Sequence, residues 1–109
     1  MAALAPSADT TRPADFAHSI ADITSGNVDL TALTGKPNHA AQMLRLNNAT
    51  TGALSAVLTP EHGANFTVVV NAGQQYEVPA KVSAIVASGS GALSAVAYWW
   101  PGASLALNK

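Results

Sequence analysis

Apolar and polar positions alternate along this chain in short runs, each closed by Gly, Pro, Asn or Ser. After His18, Ile20, Asp22 and Thr24 alternate with Ala21 and Ile23, and Ser25-Gly26-Asn27 is a turn signal. Val28, Leu30 and Ala32 then alternate with Asp29 and Thr31, ahead of a Gly35-Lys36-Pro37-Asn38 loop. Two further runs cover 41–46 and 53–59, and Pro60-Glu61-His62-Gly63 closes the second. The strongest strand signal is 65–71, where Phe66-Thr67-Val68-Val69-Val70 concentrates β-branched residues. Ala72-Gly73-Gln74 predicts a tight turn with positive φ at Gly73. Residues 75–78 lead to Pro79, where a strand must end, bulge or lie on an edge. The last runs are 82–86 and 92–99, stopped by Pro101-Gly102. Residues 14–21 are the one helix candidate, and a poor one. The reading is all-β, an antiparallel β-sandwich or jelly-roll-like domain over 18–102.

One string occurs twice. Gly-Ala-Leu-Ser-Ala-Val starts at Gly52 and again at Gly91, 39 residues on. Each copy follows an apolar run and a small polar turn, so a strand–turn–strand pair is expected at both places. Two copies at this spacing do not make a solenoid or propeller. They read as pseudo-symmetry within one domain, against coincidence in a chain with 23 alanines.

Outside the domain, residues 1–17 read as an extended arm. Pro6 and Pro13 block regular pairing, and Ser7, Asp9, Thr10 and Thr11 favour turns. Such a segment orders only when tied down, and a neighbouring subunit is the expected anchor. Residues 103–109 form a short tail.

Composition narrows the class. At 109 residues the chain is one domain, burying roughly two-thirds of its unfolded surface. Charged residues are 10%, against about 25% in ordinary soluble domains. Disordered chains are charge-rich, and no apolar run approaches the ~20 residues of a membrane helix. A surface largely covered by other protein fits the deficit. Arg12, Lys36, Arg45, Lys81 and Lys109 are scattered, which gives no footprint for nucleic acid. There is no cysteine, hence no disulfide framework or thiolate metal site. The first residues lack the charged and apolar regions of a secretory signal.

Motifs for chemistry are missing. His18, His39 and His62 have no ligand-like spacing and read as surface histidines. Asp9, Asp15, Asp22, Asp29, Glu61 and Glu77 share no paired motif, no serine lies in Gly-x-Ser-x-Gly, and no phosphate loop is present. Catalytic, cofactor and metal sites are all expected to be absent. Asn48-Ala-Thr50 and Asn65-Phe-Thr67 match the glycosylation pattern, which two accidents explain as well. Tyr98-Trp99-Trp100-Pro101 is the one dense aromatic cluster. Adjacent strand residues face opposite ways, so one tryptophan should point inward and the other outward. An exposed tryptophan suits a protein anchor or a sugar platform; the other reading packs both beneath the arm or tail.

Residues 20–99 resemble the small β-sandwich virion proteins of tailed bacteriophages and related gene-transfer particles, of the capsid decoration (cement) and head-spike base types. The features that carry the resemblance are a Pro-containing arm, a strand ending in Asp29-Leu30, Gln42-Met-Leu-Arg-Leu46 and Ala56-Val-Leu-Thr59. They continue through Phe66-Thr-Val-Val-Val70, Ala72-Gly73, Val78-Pro79, Lys81-Val82, Ala87-Ser-Gly-Ser-Gly91 and Val96-Ala-Tyr-Trp99. Trp100-Pro101 and the tail depart from the pattern. The resemblance implies a non-enzymatic structural protein on the capsid exterior, assembled in the host cytoplasm. Its partners would be the major capsid protein and further copies of itself, as trimer or pentamer, with no nucleic acid or membrane. Contacts are expected at Leu4, Pro6, Pro13 and Phe16, at one of Trp99 and Trp100, and at Leu105 and Leu107. The alternatives are a carbohydrate-binding or host-adhesion module with exposed tryptophan, and a tail or neck virion protein.

Overall fold

A computed structural model of the protein describes residues 4–23, 26–86 and 93–100. Within them lie eight strands and no helix: β1 (Phe16–Ile20), β2 (Val28–Asp29), β3 (Met43–Asn48), β4 (Leu54–Pro60), β5 (Phe66–Val70), β6 (Gln75–Glu77), β7 (Val82–Val86) and β8 (Leu93–Trp99). They form two antiparallel four-stranded sheets, ordered β1-β8-β3-β6 and β2-β7-β4-β5.

The alternation read from the sequence is what buries these strands. In β8, Leu93, Ala95, Ala97 and Trp99 are buried while Ser94, Val96 and Tyr98 are half-exposed. In β5, Thr67 and Val69 face out and Val70 is buried. The inner faces of both sheets share one core, with Leu44, Leu46, Ala95, Ala97 and Trp99 from the first and Ala56, Leu58, Val70, Val82 and Ile85 from the second. Small residues on β8 lie opposite large ones on β3, Ala95 against Leu46 and Ala97 against Leu44. The alanine-rich strand thus fills the core jointly with its neighbour.

The repeated string opens equivalent strands. Leu54-Ser-Ala-Val57 begins β4 and Leu93-Ser-Ala-Val96 begins β8, with Ala56 and Ala95 both buried. Advancing every strand number by four, with the count wrapping round, turns β1-β8-β3-β6 into β5-β4-β7-β2, which is the second sheet read backwards. The two halves of the chain are therefore topologically interchangeable. The expected strand–turn–strand pairs are corrected, however. β3 and β4 lie in different sheets, as do β7 and β8. The pairing is instead β3 with β8 and β4 with β7.

Two boundaries also move, while the turn expected at Gly73 forms in place. β1 starts at Phe16, inside the expected arm, because β8 offers it an edge: Phe16 pairs with Trp99 and Ile20 with Ala95. The weak helix candidate is thus a strand. β2 stops at Asp29 because the Asp29 carboxylate takes the Thr31 N–H at 2.9 Å and its hydroxyl at 2.7 Å, turning the chain. Gly73 has φ 69°, and Gln74 N–H closes its turn onto Asn71 O at 3.0 Å.

Candidate functional site

The site that these elements build is a fastening for the N-terminal arm. β4 ends at Pro60 with a register shift at Thr59/Pro60. The Ser83 hydroxyl fills the gap by donating to Thr59 O and Pro60 O, at 3.2 and 3.1 Å. The irregularity sets Glu61 beside Lys81, its N–H on Lys81 O at 2.9 Å and the two side chains 3.9 Å apart. Between them they hold Ala5. Glu61 Oε2 accepts from Ala5 N–H, and Lys81 Nζ donates to Ala5 O at 2.8 Å. Ala5 is buried, while Leu4 next to it is 70% exposed. Pro6 has no N–H to satisfy and keeps the chain extended.

Gln42 makes the second hold. Its Nε2 donates to Ser7 O at 2.9 Å and to Trp100 O at 3.3 Å, and its Oε1 accepts from Trp100 N–H. Its backbone N–H bonds Tyr98 O at 3.0 Å. A buried amide so fully matched is rigid, since losing any partner would leave a buried polar group unpaired. The third hold is Trp100 Nε1, which donates to Arg12 O at 3.0 Å. Every one of these contacts engages the arm through its main chain.

Between the holds the arm turns back. Arg12 N–H bonds Asp9 O at 3.3 Å, the Asp9 carboxylate accepts from the N–H and hydroxyl of Thr11, and Arg12 bridges Asp9 and Asp15 at 3.3 and 3.0 Å. The Thr11 hydroxyl, then its N–H, then the Arg12 guanidinium hold the Asp9 carboxyl below the usual range. The hydrogen bond that Arg12 donates to Asp15 likewise raises the guanidinium above its ordinary value.

Beside the turn runs an open groove of about 640 Å³, walled by Thr10, Arg12 and Pro13, and floored by Met43, Arg45 and Tyr98. Arg45 lies 5.9 Å from the Tyr98 ring centroid and 3.5 Å from Glu77. Both partners of that ion pair are exposed, so it contributes little.

Of the residues expected to make contacts, Leu4 is 70% exposed, Phe16 is 38% exposed, Pro13 is exposed and Pro6 is half-buried. Leu105 and Leu107 lie outside the described residues. The exposed tryptophan is corrected. Trp99 and Trp100 do face opposite ways, Trp99 into the core and Trp100 against Tyr98 at 6.3 Å, yet Trp100 is only 4% exposed because the arm covers it. Within this single chain, residues 5–12 are fastened to their own domain. His39 is not a surface histidine but 6% exposed. Its Nδ1–H serves Ala40 O at 2.9 Å, and its Nε2 has no hydrogen-bond partner. Among the described residues no three His, Cys, Asp or Glu side chains form a group able to hold a metal ion.

Sequence reasoning missed Gln42, Glu61 and Lys81. They stand 35, 56 and 76 residues from the arm groups that they hold, and no local pattern links them. Comparison with known protein families, characterised proteins and solved structures found no match.

Proposed function

We propose that this chain is a jelly-roll structural protein of a tailed-phage particle. It sits on the capsid exterior as a homo-oligomer, trimeric or pentameric, and cements neighbouring major capsid proteins. The observation that carries this reading is the strand order β1-β8-β3-β6 against β2-β7-β4-β5. Eight strands in two sheets with these crossings suit a jelly roll, an architecture used by viral capsid proteins. A fold hosts many functions, so the surface has to support the choice. Here the surface is poor in charge, with 10% charged residues in the chain, and a main-chain-fastened arm frames an open groove.

Cementing asks only for contact area. An interface of about 800 Å² per partner is standard, and apolar area stabilises by roughly 25 cal/mol per Å² before association costs. Repetition over a shell multiplies a modest gain. The carbohydrate-binding alternative rested on an exposed tryptophan, and Trp100 does not provide one.

The test uses particles assembled without the protein. Adding it back is expected to yield stoichiometric binding and a higher temperature of particle rupture. Unchanged rupture temperature with no bound protein would remove the proposal.

A further inference from the structure

We propose that the arm is exchangeable, and that the Glu61–Lys81 and Gln42 holds are also the docking track for residues 5–8 of a second copy of this chain. Four observations lead there.

The track reads main chain. Ala5 N–H and O and Ser7 O are the groups that Glu61, Lys81 and Gln42 engage. An identical segment arriving from another copy makes identical bonds. The track is also built without the arm's help. The Glu61 N–H to Lys81 O bond and the Gln42 N–H to Tyr98 O bond, with Trp100 closed on the Gln42 amide, all lie within the domain. When the arm leaves, the Gln42 amide and the half-buried Lys81 ammonium lose the carbonyl acceptors of Ser7 and Ala5, which a second extended peptide can supply again in the same geometry.

The connection is a hinge made of local bonds. The turn at Asp9, Thr11, Arg12 and Asp15 is held mostly by contacts within those residues, and its ties to the domain are Trp100 Nε1 on Arg12 O and, at its far end where β1 begins, Asp15 N–H on Trp99 O. Straightening it releases residues 4–8 without disturbing a strand. Finally, the arm buries little apolar surface of its own. Among its described residues Ala5 is the one buried hydrophobic, and Leu4 is largely exposed. The closed form is therefore held by a few directional bonds, and trans docking of residues 5–8 restores those made by Glu61, Lys81 and Gln42 while leaving out the Trp100 bond to Arg12 O, a small enough difference for exchange between protomers.

Passing each arm to the next copy closes a ring of any number, so the inference deepens the homo-oligomer of the proposed function. Its test, however, needs no particle. The chain has no cysteine, so Leu4→Cys accepts a nitroxide label at an exposed position. Labelled protein without isotope is mixed with ¹⁵N-labelled, unmodified protein, and broadening is read on the ¹⁵N copy alone. Broadening centred on the Glu61 and Lys81 amides, growing with concentration and reduced several-fold by Lys81→Met in the ¹⁵N copy, is expected. No broadening at millimolar concentration, or broadening centred elsewhere such as β5, overturns the exchange. Particle binding by the intact protein alongside a blank spectrum would sink this inference and leave the capsid role standing.

Discussion

One three-residue device recurs at three turns of this chain. In Asp9-x-Thr11, Asp29-x-Thr31 and Asn48-x-Thr50, the side-chain oxygen of the first residue accepts both the N–H and the hydroxyl of the threonine. Asn48 does most. It is fully buried, and its Nδ2 also donates to Gly52 O and Val70 O, each at 2.8 Å. The Asn48-Ala-Thr50 match to a glycosylation site thus falls on a buried asparagine whose amide nitrogen is already committed. Asn48→Ala strands those buried groups and is expected to destabilise the fold by about 2–3 kcal/mol in urea unfolding. The two aspartates make the turns sensitive to acid. Hydrogen bonds from Thr31, hydroxyl first, hold the Asp29 carboxyl below its ordinary value, as Thr11 does for Asp9. A group depressed on folding adds stability above its unfolded pKa, near 3.8, and loses it as pH falls through the lower folded value. Melting temperature is therefore expected to hold from neutral pH down to about 5 and to drop below about 4, with Asp29→Asn flattening part of the drop.

At the scale of elements, seven of the eight strands lie within two or three residues of where alternation places them; β1 alone shifts further, toward the N-terminus. Burial on one face imposes that alternation, so it is legible locally. Which strands pair is not. The stretch between β3 and β4 reads like a hairpin turn, but Asn48 ties it to Val70 on β5 and delivers the chain to the other sheet. That tie spans 22 residues and leaves no mark on neighbouring positions. The edges of the sheets differ in risk. β5 is a five-residue edge without charge or proline, and its Val69 is 60% exposed; natural edges usually carry one or the other. Val69→Lys is expected to change stability by less than about 0.5 kcal/mol and to lower light scattering at high concentration. Unchanged scattering would show that this edge is protected in some other way.

For the molecule as a whole, the candidate site was the part least visible in the sequence. The arm could be read from Pro6 and Pro13, and the opposed tryptophans from strand geometry. Their union could not, because Gln42 joins Ser7 to Trp100 across 35 and 58 residues. Gln42→Ala is expected to loosen the arm and uncover Trp100. A red-shifted tryptophan emission with strand content intact is the expected signature, and an unshifted spectrum would show that the arm is held without it.

The four-strand shift that maps one sheet onto the other has a consequence for ancestry and for engineering. Two identical half-length chains, related by a rotation axis, would assemble the same pair of sheets, so the present molecule has the form of a dimer fused into one polypeptide. The join is then the exposed loop at 62–65, where Gly63 sits at φ 105°. Protease cleavage there is expected to leave the two fragments co-eluting as a folded complex, whereas cleavage within the turn anchored by Asn48 should scatter them.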